Sequence, residues 1–365
     1  MNVGILKIGG DECVSDNYPV DGNRVSYALS KHGYFVTHML EISDPAHVFD
    51  AFDFLRSCVD AVAVCGNTDA FYTAVASKYE IGRTLSTFLL KGTPCAVSKT
   101  CDPDFVQDFL IPMLNSRCKT FYTANVFRTV GKTEAELRTL LKDYIKNRNK
   151  IVFKFIEKPP ECTVLVRYSN KMQKSTVQEM LAGVTAALQD CTYAYDDTDL
   201  SETVARILMD RHKTVGLAES FTGGNIAAAL VRFAGISASF KESVVCYDSA
   251  VKQSRLHVSE EILRNHGAVS VETAYEMAAN LLTEGQYDYV IATTGNAGPT
   301  SEKPGQTGVC YIAVGDKENI DIYPCRFEGD RAAVIHSGTV TALYYLYRFL
   351  RNDPMNQTEN QTENV

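Results

Sequence analysis

Short apolar runs alternate along most of this chain with stretches whose apolar residues recur at helical spacing. Residues 3–8, 34–40 and 61–65 read as strands, with helices over 23–31 and 47–58 between them. Alternation at this spacing predicts a parallel sheet covered by helices. The texture changes near residue 121. Strands are expected at 122–129, 163–168 and 191–195, and helices at 133–146 and 176–188, which together make a small α+β module. The basic run 142–154 alternates with apolar residues and reads as a solvated helix face. Pro159-Pro160 marks an extended turn inside the module. A third region follows: a helix over 200–212, a strand over 214–218, a helix carrying Ile226, Ala227, Leu230, Val231 and Ala234, a buried strand at 244–247, and a helix from 250 to 256. Ala274, Met277, Ala278, Leu281 and Leu282 form a helical stripe that suits a core face. Strands at 289–293, 309–314 and 320–327 and a long helix to about residue 350 close the pattern. The tail from Asn352 repeats Asn-Gln-Thr-Glu without an apolar anchor and is expected to be disordered.

These patterns divide the chain into 1–120, 121–199, 200–351 and a tail, 352–365. A length of 365 residues allows two or three domains, each burying its own core. The formal net charge of −8, with no offsetting basic cluster, argues against a nucleic-acid partner. No apolar run reaches membrane-spanning length, and the N-terminus enters a strand with no signal-peptide pattern, so a cytoplasmic protein is expected. The 11 cysteines form no C-x-x-C pair, and several sit in apolar runs. They read as small buried hydrophobes in a reducing compartment, not as disulfides or zinc ligands. The 7 histidines show no metal spacing either, so neither a metal nor a cofactor is expected.

Candidate chemistry concentrates at Ala218-Glu219-Ser220-Phe221-Thr222-Gly223-Gly224. The segment places a serine hydroxyl at a strand-to-helix turn. The glycines after it let backbone N–H groups approach a ligand, and a helix start favours a phosphate or an oxyanion. The alternative is a capping serine or threonine and a tight turn. Downstream, Tyr247 falls at a strand end and Lys252 in the next helical turn. A lysine activates a serine only when burial or another cation lowers its pKa, and a tyrosine hydroxyl can relay a proton. Either residue alone could equally be a solvated charge or a strand aromatic.

The ordered set continues with Asn265-His266-Gly267-Ala268-Val269-Ser270, Thr294-Gly295-Asn296-Ala297-Gly298-Pro299, Lys303-Pro304, Gly308 and Phe327-Glu328-Gly329-Asp330-Arg331. From about residue 202 to 350 it resembles the C-terminal domain of the CinA competence/damage-inducible family, whose catalytic form is nicotinamide-nucleotide amidase. The resemblance implies that Ser220 is the nucleophile and that Tyr247 and Lys252 assist it. Thr222, Gly223 and Gly224 would hold the oxyanion or a phosphate, and Gly295, Gly298 and Arg331 would contact substrate. The implied substrate is nicotinamide mononucleotide, and the implied assembly a homodimer or higher homo-oligomer. This chain departs from the family at Phe221, at Asp248-Ser249 and in the shortened segment 300–302. Gly9-Gly10-Asp11-Glu12, Asp21-x-Asn23 and Leu29-x-x-x-Gly33 resemble the molybdopterin-binding-like domain at the N-terminus of CinA proteins. Only Gly66-Asn67-Thr68-Asp69-Ala70 follows its third strand, so the family's paired aspartates are missing and a scaffold role is implied. The middle module resembles KH domains in shape but lacks a Gly-x-x-Gly loop, which favours a spacer or dimerisation role over RNA binding. Two other readings stay open: a non-catalytic, regulatory nucleotide-binding protein, and a nucleotide pyrophosphatase acting through the N-terminal domain.

Overall fold

The computed structural model describes residues 1–9, 22–76, 78–79, 86–100, 103–146, 151–285, 287–300 and 304–352. Gly10, Asp11, Glu12, Asp21, Ser301, Glu302, Lys303 and the tail beyond Asn352 lie outside the described residues. The chain has an α/β fold, as the alternation of patterns predicts, with three sheets among the described residues. It forms two compact units. The first holds Met1–Asn125, Leu141–Lys154 and Leu165–Ala186; the second holds Val126–Leu140, Phe155–Val164 and Ala187–Val365.

The first sheet takes the order β2-β1-β3-β5-β4. Its parallel strands are β1 (Asn2–Ile8), β2 (Phe35–Ile42), β3 (Ala61–Gly66) and β5 (Thr93–Ser98), and β4 (Thr87–Leu90) pairs antiparallel at the edge. In β1, Val3 and Ile5 join one buried cluster while Leu6 and Ile8 join another. Burial on both faces explains why the strand reads as a nearly continuous apolar run. Helix α1 (Gly22–Lys31) covers one face, together with α4 (Pro103–Phe105), a π-helical turn and α5 (Ile111–Arg117). Helices α2 (Val48–Cys58) and α3 (Thr68–Ala76) cover the other. The expectation of reduced cysteines fails at one of the described positions. Cys65, buried on β3, is disulfide-bonded, whereas eight cysteines among the described residues are free.

Next come β6 (Tyr122–Val130), α6 (Glu134–Leu140), α7 (Lys142–Ile145), β7 (Ile151–Lys158), β8 (Glu161–Ser169), α8 (Lys174–Leu188) and β9 (Thr192–Ala194). The strands take the order β7-β8-β6-β9. One expectation is corrected here: the basic run 142–154 is not one helix face, because helix α7 ends at Ile145 and Lys154 lies on β7. Ile151, Val152, Phe153, Phe155 and Ile156 are β-branched or aromatic and favour a pleated strand.

The C-terminal part of the second unit carries the third sheet, ordered β11-β10-β12-β13-β14. Its elements are α9 (Leu200–Asp210), β10 (Val215–Glu219), α10 (Asn225–Leu230), β11 (Phe240–Val245), α11 (Ser249–Leu256), α12 (Glu260–His266), α13 (Val271–Gly285), β12 (Tyr289–Gly295), β13 (Val309–Gly315), β14 (Ile320–Arg326) and α14 (Arg331–Asn352). Strands β11, β10 and β12 run parallel, while β13 and β14 are antiparallel. Val215 and Leu217 pack with α9, α10 and α14 on one face, and Ala218 packs with the α13 stripe on the other. The stripe expected at 274–282 is therefore core. Strand β11 departs from its reading as a buried strand. It is an edge strand that stops at Val245, which is 47% exposed, because one of its sides has no neighbouring strand. No helix among the described residues is long and apolar enough to cross a membrane.

Candidate functional site

Two parallel strands, β10 and β11, end on one rung, and β12 crosses that rung two residues before its own end. Glu219, the last residue of β10, pairs with Val245 of β11 on one side and Thr293 of β12 on the other. The residues just beyond, Ser220, Cys246 and Thr294, therefore share the carboxyl edge of the sheet, where open α/β sheets bind ligands. The Ser220 N–H donates to the Thr293 carbonyl at 3.0 Å, and the Cys246 N–H donates to the Glu219 carbonyl at 2.8 Å.

Lys252 reaches this edge through helix α11. Asp248 caps that helix, its carboxylate accepting from the Ala250 N–H at 2.7 Å. Lys252 and Leu256, four residues apart, form its buried face. An ammonium-bearing side chain thus sits 1% exposed, with Nζ donating to Ser220 Oγ and to the Cys246 carbonyl, each at 2.7 Å. Burial lowers the Lys252 pKa, and the Cys246 thiol and Asp248 carboxylate oppose that shift. The thiol is itself pushed upward by burial, so near neutral pH it is uncharged and contributes little to that opposition. A buried lysine that loses its proton easily, in hydrogen-bond contact with a serine hydroxyl, is equipped to take that hydroxyl's proton. The Asp248-Ser249 departure from the family pattern thus has a local use, since Asp248 starts the helix that delivers Lys252.

The turn after Ser220 is built differently from the sequence-based expectation. Glu219 is fully buried, and its Oε2 accepts from the N–H groups of Gly224 at 3.0 Å and Ile226 at 3.1 Å. Its Oε1 accepts from the Ala227 N–H at 3.0 Å and the Ser243 hydroxyl at 3.1 Å. The protein's own carboxylate therefore occupies the start of α10, where the favourable helix end was expected to hold an oxyanion or phosphate. The Gly223 N–H is also used, donating to the Ser220 carbonyl at 3.1 Å. Of the three expected amide donors only the Thr222 N–H has no acceptor among the described residues, and the Phe221 N–H shares that state. Gly223 and Gly224 serve the turn itself, with φ of 61° and 91°. The Thr222 hydroxyl bonds that of Thr293 at 2.8 Å. Phe221, the other departure, packs among Ala297, Cys310 and Val334. Gly338 of α14 leaves room for its ring, because a Cβ there would stand 2.4 Å from the ring.

Tyr247 does not reach the pair. It is 62% exposed, and its hydroxyl accepts from Arg331, not from Ser220 or Lys252. Having passed the end of the edge strand, it points along the rim instead of into the sheet edge. Arg331 also donates to the Gly298 carbonyl at 2.6 Å, so Tyr247, Gly298 and Arg331 form a second group beside the Cys246–Tyr247 peptide. Gly295 ends β12 against Cys310, whose Sγ would lie 2.5 Å from an added Cβ. Its role is close packing. The sequence reading gave Glu219 no role. A charged residue ending the otherwise apolar run 215–219 was the available signal, because a buried carboxylate must find donors.

A serine presented at the carboxyl edge of a partly parallel sheet, against a buried lysine, defines an α/β domain with a Ser–Lys site. The model of the CinA C-terminal domain matches residues 197–350. The chain is 33% identical over 270 residues to a putative competence-damage inducible protein of Clostridium beijerinckii, covering 72% of this chain and 64% of that protein. It is 32% identical over 271 residues to a CinA-like protein of Dictyoglomus turgidum, covering 72% and 64%. Among solved structures, a CinA superfamily protein of Klebsiella pneumoniae is 36% identical, covering 41% of this chain and 95% of that one at a TM-score of 0.40. Residues 197–350 belong to the CinA C-terminal domain family. The chain spans 64, 61 and 62% of the lengths of three curated relatives.

Proposed function

We propose that residues of the C-terminal domain hydrolyse the carboxamide of nicotinamide mononucleotide to nicotinate mononucleotide and ammonia. The observation that carries this reading is the 2.7 Å contact between Ser220 Oγ and the 1%-exposed Lys252 amine. Neutral Lys252 takes the Ser220 proton as Oγ attacks the carboxamide carbon. The unpaired N–H groups of Phe221 and Thr222 receive the oxyanion. As the tetrahedral intermediate collapses, the C–N bond breaks and the Lys252 ammonium returns the proton to the departing amine, releasing ammonia. Water, deprotonated by the same lysine, then cleaves the acyl-serine ester. Arg331, held by the Gly298 carbonyl, takes the 5′-phosphate, and Tyr247 lines the same side. Gly295 and Gly298 shape the loop beside it. No step needs a metal or cofactor. The reading includes a cytoplasmic homo-oligomer whose modules are 1–120, 121–199 and 200–351.

The test is ammonia release from nicotinamide mononucleotide by the purified chain and by Ser220→Ala. Activity should vanish in the variant while the fold is kept, because a turn hydroxyl contributes only about 1 kcal/mol. Undiminished release by Ser220→Ala would remove the serine as nucleophile.

A further inference from the structure

We propose that a groove in the second unit, away from Ser220 and Lys252 in its composition, binds a small nucleoside phosphate. The groove has a volume of about 640 Å³ and takes Lys132, Tyr344, Tyr347, Arg348, Arg351 and Asp190 into its walls. That volume lies within the range of small-molecule sites, roughly 300–1,000 Å³. Positions 344, 347, 348 and 351 are spaced i, i+3, i+4 and i+7, so α14 presents two tyrosines and two arginines on one face. Lys132, just after β6, adds a third cation. In a chain of net charge −8, this groove gathers three cations against one carboxylate.

Burial pushes the Tyr344 hydroxyl pKa upward, and the positive charges of Arg348, Lys132 and Arg351 oppose that rise. The Arg348 guanidinium lies 5.9 Å from the Tyr344 ring centroid and has no carboxylate within ion-pair distance among the described residues. Arg351 is steadied by donating to the Gln189 carbonyl at 2.9 Å. Lys132 pairs with Glu136 at 3.1 Å, but both are well exposed, and pairs of this kind are weak enough to give way to a multiply charged anion. Arginine forks match phosphate oxygens in geometry as well as charge. The half-buried tyrosine rings offer an aromatic wall, so the favoured ligand carries a flat base besides its phosphates. A nucleic-acid polymer is disfavoured by the chain's overall negative charge.

The chain contains no tryptophan, so Leu140→Trp, at a groove residue that is 45% exposed, supplies a single fluorescent reporter. ADP, titrated in EDTA, should change its emission saturably, with matching heat in calorimetry of the unaltered chain. Arg348→Ala and Lys132→Ala should each weaken ADP by about tenfold, the loss expected for one charge-assisted contact. Asp190→Asn should tighten it, added salt should weaken it, and Ser220→Ala should leave it unchanged. Pyrophosphate should bind more weakly than ADP. No heat or emission change with millimolar ADP, or binding unaltered by Arg348→Ala, would overturn the site. Equal affinities for ADP and pyrophosphate would overturn the role of the tyrosines. None of these readings depends on amidase activity, so the groove and the Ser–Lys proposal fail separately.

Discussion

Glu219→Gln removes a charge without changing shape, and its cost can be worked out bond by bond. Oε2 serves the Gly224 and Ile226 N–H groups; Oε1 serves the Ala227 N–H and the Ser243 hydroxyl. The best placement of the amide keeps its oxygen on Gly224 and Ile226 and turns its NH2 toward Ser243, whose hydroxyl can accept. The Ala227 N–H then faces a donor. One buried unpaired N–H costs about 1–3 kcal/mol, and the two remaining bonds lose the strength that came from ionised oxygen. The sum is about 2–3 kcal/mol, survivable within a stability of roughly 5–15 kcal/mol. Glu219→Ala strands all three amides and should cost about twice as much. The assay is urea unfolding of the second unit, combined with hydrogen exchange at Gly224, Ile226 and Ala227. Ala227 should lose protection first in the Gln variant, and activity should fall as the turn carrying Ser220 loosens. A destabilisation below about 1 kcal/mol with Ala227 protection unchanged would refute the reasoning.

The rate should depend on pH in one direction. Burial lowers the Lys252 pKa from the ordinary 10.5, so kcat/KM should rise with pH along a limb below that value; a limb at a free lysine's position would contradict a buried base. Stability follows the same group. Between the lowered folded value and 10.5 the unfolded chain binds the proton that the folded chain has released, so Lys252 costs less stability as pH rises, and Lys252→Met should lose this slope in urea titrations at several pH values. Gly338→Ala should gain helix propensity worth about 1 kcal/mol yet destabilise overall, since the Phe221 ring must shift at about 1–3 kcal/mol; a rise in melting temperature would show that the ring moves freely. Arg331→Lys, which cannot hold both the Gly298 carbonyl and the Tyr247 hydroxyl, should raise KM more than it lowers kcat, and an effect confined to kcat would argue against a substrate-binding role.

The sequence alone determined the succession of strands and helices at the two ends of the chain, because apolar periods of about two and 3.6 come directly from which face each element buries. It also drew attention to Ser220 through the strand and Gly-Gly turn around it, whereas Tyr247 and Lys252 stood out only through the family resemblance, because either alone reads as a structural residue. It could not determine which groups meet. The rung that joins Glu219 to both Val245 and Thr293 exists only after three strands have paired, and that pairing brings the Cys246 carbonyl and Ser220 hydroxyl to one amine. The edge position of β11 likewise turned Tyr247 outward to Arg331, although the apolar run 244–247 looks buried when read alone. The use of the α10 start was decided by distance as well. A carboxylate five residues before Gly224 folds back onto the amides, satisfying donors that a linear reading leaves open for a ligand. Local pattern fixes which face a residue takes; only tertiary packing decides which partner a buried polar group finds there, because that partner comes from a strand or helix remote in the chain.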